Sequence, residues 1–195
     1  MLRLQNFQGQ EIEPYLDALG ALRITVFRDF PYLYDGNLDY ERDYLKVYME
    51  CPRSMAVLAF HGDAVVGAST CMPMEDEGPE FQEPFRRNDH DLSKICYLGE
   101  SILLSQYRGR GVGKKFFIER EKHAQSLGMR MTTFCAVNRP LDHSLRPANY
   151  QSLDSFWQSR GYVKQPDMQA TFHWKDVNEE HESAKTLTFW TKTLA

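Results

Sequence analysis

The stretch YRGRGVGKKF, residues 107–116, sets three glycines at alternate positions among four cations, Arg108, Arg110, Lys114 and Lys115. Glycine lacks a Cβ, so a ligand can approach the main chain closely and positive φ costs little. Successive amide N–H groups in such a turn can converge on an anion. A helix starting directly after it adds unpaired N–H groups and the positive end of its dipole. The stretch therefore predicts a phosphate cradle. Before it, ICYLGESILL (95–104) is near-continuously apolar, which suits a central strand covered on both faces. After it a helix is expected over about 113–127, stopped by Gly128, followed by the strand MTTFCAV. Strand, loop, helix and strand make a βαβ unit whose two strands should run parallel.

Further out, Leu16, Leu19, Leu22, Val26 and Phe30 recur at helical spacing within 14–30, and Tyr40, Tyr44, Leu45 and Tyr48 form a stripe within 39–49. SMAVLAFHGDAVVGASTCMPM reads as an antiparallel hairpin turning at Gly62-Asp63. Residues 75–94 are acidic, broken by Pro79 and Pro84, and are expected to be an irregular surface excursion. A second excursion, NRPLDHSLRPANY, precedes a helix over about 150–160, and MQATFHWKDV and KTLTFWTKTL close the chain as two alternating strands. The fold class expected is mixed α/β in a single domain, residues 1–195.

At 195 residues the chain can bury one sizeable core, and two domains would each be marginal. Its formal charge is −4, from 23 Lys and Arg against 27 Asp and Glu, so the cationic loop is a local feature of an acidic protein. That balance argues against nucleic-acid binding through the RGRG segment. The N-terminal residues contain no apolar signal core and no run approaches 18 apolar residues, so a cytoplasmic protein with no membrane partner is expected. Cys51, Cys71, Cys96 and Cys135 are widely spaced with no CxxC, and the six histidines form no HxxxH pair; reduced thiols and no metal are expected.

Two familiar phosphate loops fail on spacing. A Walker A loop would place its first glycine at Arg108 and its Mg²⁺-binding hydroxyl at Lys115, and a dinucleotide fingerprint needs two residues, not one, between Gly111 and Gly113. Residues 108–113 instead match [QR]-x-x-G-x-[GA] between an apolar strand and a helix. With the order of elements around it, the stretch resembles motif A of the GNAT superfamily of acetyl-CoA-dependent N-acyltransferases. The resemblance implies a mixed central sheet with a splayed parallel strand pair flanked by helices. It also implies acetyl-CoA as acyl donor, without a metal. By the same resemblance, Arg108, Gly109, Arg110, Gly111, Val112, Gly113 and Lys114 would hold the pyrophosphate, and the main chain of Ile102, Leu103 and Leu104 would pair with the pantetheine arm.

Acyl transfer to an amine by direct attack in a ternary complex needs a base, and Glu100 is the carboxylate that interrupts the most apolar strand. By alternation it would share a face with Leu98, Ile102 and Leu104, and a desolvated carboxylate suits a general base. A structural carboxylate, capped by a neighbouring donor, is the other reading. Trp157 stands where family members often carry a tyrosine acid, four residues before the glycine at 161, so no acid is named; Tyr150, Tyr97 and solvent remain open. The acceptor is expected to be a small-molecule or peptide amine. Asp29, Asp35, Asp39, Glu41 and Asp43, with the interleaved tyrosines of 28–45, favour a cationic one. A homodimer is compatible with the sequence, and so are two rival functions: a non-catalytic acyl-CoA-binding module, and a protein N-terminal or lysine acetyltransferase.

Overall fold

The computed structural model describes residues 2–195. Seven strands form one mixed sheet: β1 (Leu2–Gln8), β2 (Met55–His61), β3 (Ala64–Pro73), β4 (Ile95–Leu103), β5 (Met131–Val137), β6 (Val163–Trp174) and β7 (Ser183–Thr193). Their spatial order is β1-β2-β3-β4-β5-β7-β6. Every neighbouring pair is antiparallel except β4 and β5. The helices are α1 (Leu16–Phe27), α2 (Leu38–Glu50), α3 (Pro79–Arg86), α4 (Val112–Ser126) and α5 (Asp154–Ser159).

Apolar periodicity explains the layers. On α2, Glu41, Leu45 and Tyr48 lie at i, i+4 and i+7 and are the buried residues of the helix, and Asn37 caps its start by accepting the Tyr40 N–H at 3.0 Å. Together α1 and α2 cover one face of the β1–β4 half through Leu19, Leu22, Leu45, Leu58 and Ile102. α4 covers the opposite face through Val112, Phe116 and Phe117, against Val57, Cys96 and Leu98. Phe85 of α3 closes the face above β5–β7 with Tyr97, Leu187 and Phe189.

Four expectations change. An edge strand, β1, precedes everything foreseen; its inward residues are few and its sequence is mostly polar. The first helix is shorter than 14–30, because residues Gly9–Tyr15 form a 3₁₀ turn. The excursion at 75–94 contains α3, whose Pro79 occupies the first turn, where a missing N–H costs nothing. The helix expected over 150–160 keeps only Asp154–Ser159.

A fifth difference concerns the strand that matters most. On β3, Ser69 pairs with Ser101 and Cys71 with Leu98, so Thr70 alone opposes both Gly99 and Glu100. This β-bulge reverses the alternation partway along β4. Leu98 points into the α4 layer while Ile102 points into the α1/α2 layer, so Glu100 does not share a face with Leu98 as alternation predicted.

Candidate active site

The loop is built as an anion seat. Gly109 and Gly111 take φ of +74° and +76°, and a Cβ added at either would meet nothing within 4 Å. Gly111 caps α4 in the left-handed conformation, and the first backbone bond past it runs from Lys115 N–H to Gly111 O at 3.2 Å. The amides just before Lys115 therefore have no helical acceptor. Arg108 and Arg110 brace the loop by donating to Leu103 O (3.0 Å) and Gln106 O (3.1 Å), and Lys114 and Lys115 are exposed. Gly113 is closed in by Phe156, 3.6 Å from where its Cβ would sit. Bare backbone, free amides and four cations fit the pyrophosphate of coenzyme A.

From this loop β4 leads back into the sheet. It pairs with β5 only at Ile95–Met131, Cys96–Thr132 and Tyr97–Thr133. Past Tyr97 the strands diverge, leaving the β5-side edge of β4 from Leu98 to Leu103 without a strand partner, while β5 continues along β7. Ile102 is buried and Leu103 and Leu104 half-buried at the loop end of this edge.

At the vertex of the divergence opens a cavity of about 330 Å³. Tyr97, Gly99 and Glu100 of β4 and Cys135 of β5 contribute to it, beneath a largely aromatic wall that includes Tyr32, Tyr34, Tyr44, Phe81, Phe172 and Trp174. Gly99 is obligatory, since a Cβ there would lie 2.0 Å from the Tyr48 hydroxyl and 2.6 Å from Thr70 Oγ1.

Glu100 is 3% exposed and engaged through both oxygens. One accepts from Arg23, the other from the Thr70 hydroxyl, and its N–H donates to Thr70 Oγ1 at 2.9 Å. Arg23 also binds Glu41, which accepts the Tyr34 hydroxyl at 2.7 Å, and its guanidinium lies over the rings of Tyr44 (4.3 Å) and Phe27 (5.1 Å). Arg23 is thus charge-balanced by two carboxylates and offers no free cation to a ligand. From behind, the buried Arg120 of α4 donates to Thr70 O (3.3 Å), Glu100 O (3.2 Å) and Ser101 Oγ (2.7 Å), pinning both sides of the bulge. A second carboxylate stands nearby. Burial pushes Glu77 up to about 7 against the hydrogen bond from Gly78 N–H, with the charges of Glu100 and Glu80 adding to the rise.

Several expected residues lie elsewhere. Asp35 pairs with Lys175 (2.7 Å) and Arg28 (2.8 Å), contacts that lower its pKa, and Asp39 pairs with Arg42 at 3.3 Å; neither lines the cavity. Trp157 packs on Phe134 and Trp190, at 5.0 and 5.1 Å between ring centroids, within the α4-side core. Tyr150 stacks edge-on to Phe30, outside the cavity. Arg23, Thr70, Glu77 and Arg120 escaped the sequence reading because each lies outside the strand that carries Glu100, whereas Glu41, one of the acids expected at the acceptor wall, does reach the site through Arg23 and Tyr34. All four cysteines are free and buried. Among the described residues no cluster of ligating side chains could hold a metal, and no helix is long and apolar enough to cross a membrane.

No protein-family model and no curated protein matches the sequence. Solved structures do. An acetyltransferase of the GNAT family from Streptococcus pneumoniae superposes with a TM-score of 0.60 at 14% identity, over 100% of each chain. An aminoglycoside 6'-N-acetyltransferase complexed with coenzyme A gives 0.61 at 18% identity, over 98% of this chain and 96% of that one. A Salmonella typhimurium protein solved with its cofactor acetyl-CoA gives 0.59 at 10% identity, over 100% and 95%. Over its described length the chain has the fold of the GNAT acetyltransferases.

Proposed function

We propose that the protein transfers an acetyl group from acetyl-CoA directly to a primary amine held in the aromatic cavity. One observation carries the reading: the anion seat, the unpaired edge of β4 and the cavity holding Glu100 lie in sequence along a single strand. The amides and cations of 108–114 would hold the pyrophosphate, and the main-chain groups of Ile102, Leu103 and Leu104 would pair with the arm. Bound there, coenzyme A supplies the acetyl group as an activated thioester. Glu100 is the base we assign, releasing Thr70 or Arg23 to take the amine's proton. The acceptor we favour is a cationic small molecule, drawn by aromatic faces worth about 0.5–2 kcal/mol each, by Glu80, and by Glu41 and Glu100, two carboxylates that share the single cation Arg23, since Asp35 and Asp39 are neutralised by their own partners.

The test is release of free thiol from acetyl-CoA against a panel of amines, with binding followed separately by thermal shift. Acetyl-CoA should raise the Tm by mass action. Gly111→Asp should abolish that rise by placing a carboxylate where the phosphates sit, at a cost of about 1 kcal/mol for the left-handed conformation. An undiminished rise in the variant would overturn the loop's role. A second reading, a non-catalytic acyl-CoA-binding module, is favoured by Trp157, which supplies no acid where family members often carry one. Binding without turnover of any amine would select it.

A further inference from the structure

We propose that Tyr97 donates the proton taken up by the thiolate that leaves during acyl transfer, a step that rests on the acetyltransferase reading above. Tyr97 is the last residue of β4 paired with β5, opposite Thr133, so it stands at the vertex from which the two strands diverge. Its ring packs on Phe81, 4.7 Å between centroids, and its hydroxyl reaches across to lie 3.4 Å from Cys135 Sγ on β5. The phenol therefore spans the opening on the cavity side, beside Gly99 and Glu100. The free edge from Leu98 to Leu103 is about 17 Å long at the usual strand rise. An extended arm anchored at the loop and laid along that edge brings its sulfur to the vertex, under the Tyr97 hydroxyl.

Among the described residues of the two diverging strands, Tyr97 brings the one hydroxyl to the cavity lining. Trp157 is turned into the opposite layer, Tyr150 lies outside the cavity, and the Tyr34 hydroxyl is committed to Glu41. In the step, the amine nitrogen bonds to the thioester carbon and the C–S bond breaks with its electron pair on sulfur. Tyr97 passes its hydroxyl proton to that sulfur. The phenolate then recovers the proton shed by the amine nitrogen, carried by Glu100 or solvent, so that amide and free thiol are the only products. Burial raises the Tyr97 pKa, with Cys135, Tyr44, Glu77 and Tyr48 as the ionisable groups around it and Arg23 and Glu100 lining the same cavity. The phenol thus stays protonated, and the same apolar surroundings make an expelled thiolate more basic, which brings donor and acceptor into range.

Tyr97→Phe should lower kcat by about 10²-fold, the scale of a lost general acid, while keeping the acetyl-CoA thermal shift. Site-specific 3-fluorotyrosine at position 97, a more acidic phenol of nearly the same shape, should move the basic limb of the kcat–pH profile to lower pH, which a packing role would not do. Wild-type turnover in Tyr97→Phe, or a basic limb unmoved by fluorination, overturns the proposal. Absence of wild-type turnover with every amine, despite acetyl-CoA binding, overturns the acetyltransferase reading itself and this step with it.

Discussion

Glu100 was legible in the sequence because a carboxylate in so apolar a strand needs a reason. What surrounds it was not, since Arg23, Thr70 and Arg120 come from three other elements and meet only in the folded sheet. If Glu100 is the base, Glu100→Gln should lower kcat by about 10²-fold and remove the acidic limb of the rate profile, with acetyl-CoA binding retained. Loss of binding, or an unaltered profile, would make it structural. Glu77 gives a prediction in stability. Its pKa rises from 4.5 to about 7 on folding, chiefly through burial, so the folded state holds its proton more tightly than the unfolded chain. The stabilisation is fully present below about 4.5 and is lost as pH rises through about 7. Glu77→Gln should therefore gain on the wild type across that window and level off above it, by at most about 3 kcal/mol. Urea denaturation at pH 4.5 and 7.5 measures it, and a pH-independent difference between the two proteins would refute it.

Among the elements, the loop and α4, the hairpin and the strands on either side of α4 could be read because period, glycine punctuation and charge agree there. β1 carries too few apolar residues to register, and two prolines disguised α3. The bulge in β4 has no local sequence signal beyond Gly99, whose meaning lies in Tyr48 of α2 pressing against it. Gly99→Ala should accordingly destabilise the protein by about 1–3 kcal/mol, the usual cost of overpacking. Adding Tyr48→Phe, which deletes the hydroxyl 2.0 Å from the new methyl, should recover part of that loss while the Thr70 contact at 2.6 Å keeps the rest. A double-mutant cycle showing no coupling between the two sites would place the strain elsewhere.

At the scale of the molecule, the sheet consists of two halves that meet at the β4–β5 seam. Their order could not be foreseen, because the last strand in sequence inserts between β5 and β6. Opposite the seam, Arg139 holds Asp176 through two hydrogen bonds (2.7 and 2.9 Å) and donates to Pro31 O (2.7 Å) and Tyr32 O (2.6 Å). Val177 N–H to Leu33 O (2.7 Å) and Asp35 N–H to Lys175 O (2.9 Å) add to the tie. This joins the α1–α2 connection to the β6–β7 turn. Removing one member of a buried pair costs up to about 3–5 kcal/mol, moderated here by Lys185, which stays 3.5 Å from Asp176, so Arg139→Gln should lower the Tm. The same joint makes the protein a calliper whose jaws are locked. With the strands joined at one end and the elements flanking them tied at the other, the width of the gap should be set by the fold. Under the acetyltransferase reading, an acyl chain longer than acetyl would compete with the acceptor for the cavity. Slackening that tie should loosen the gauge: the ratio of butyryl to acetyl transfer should rise in Arg139→Gln, measured below its melting temperature.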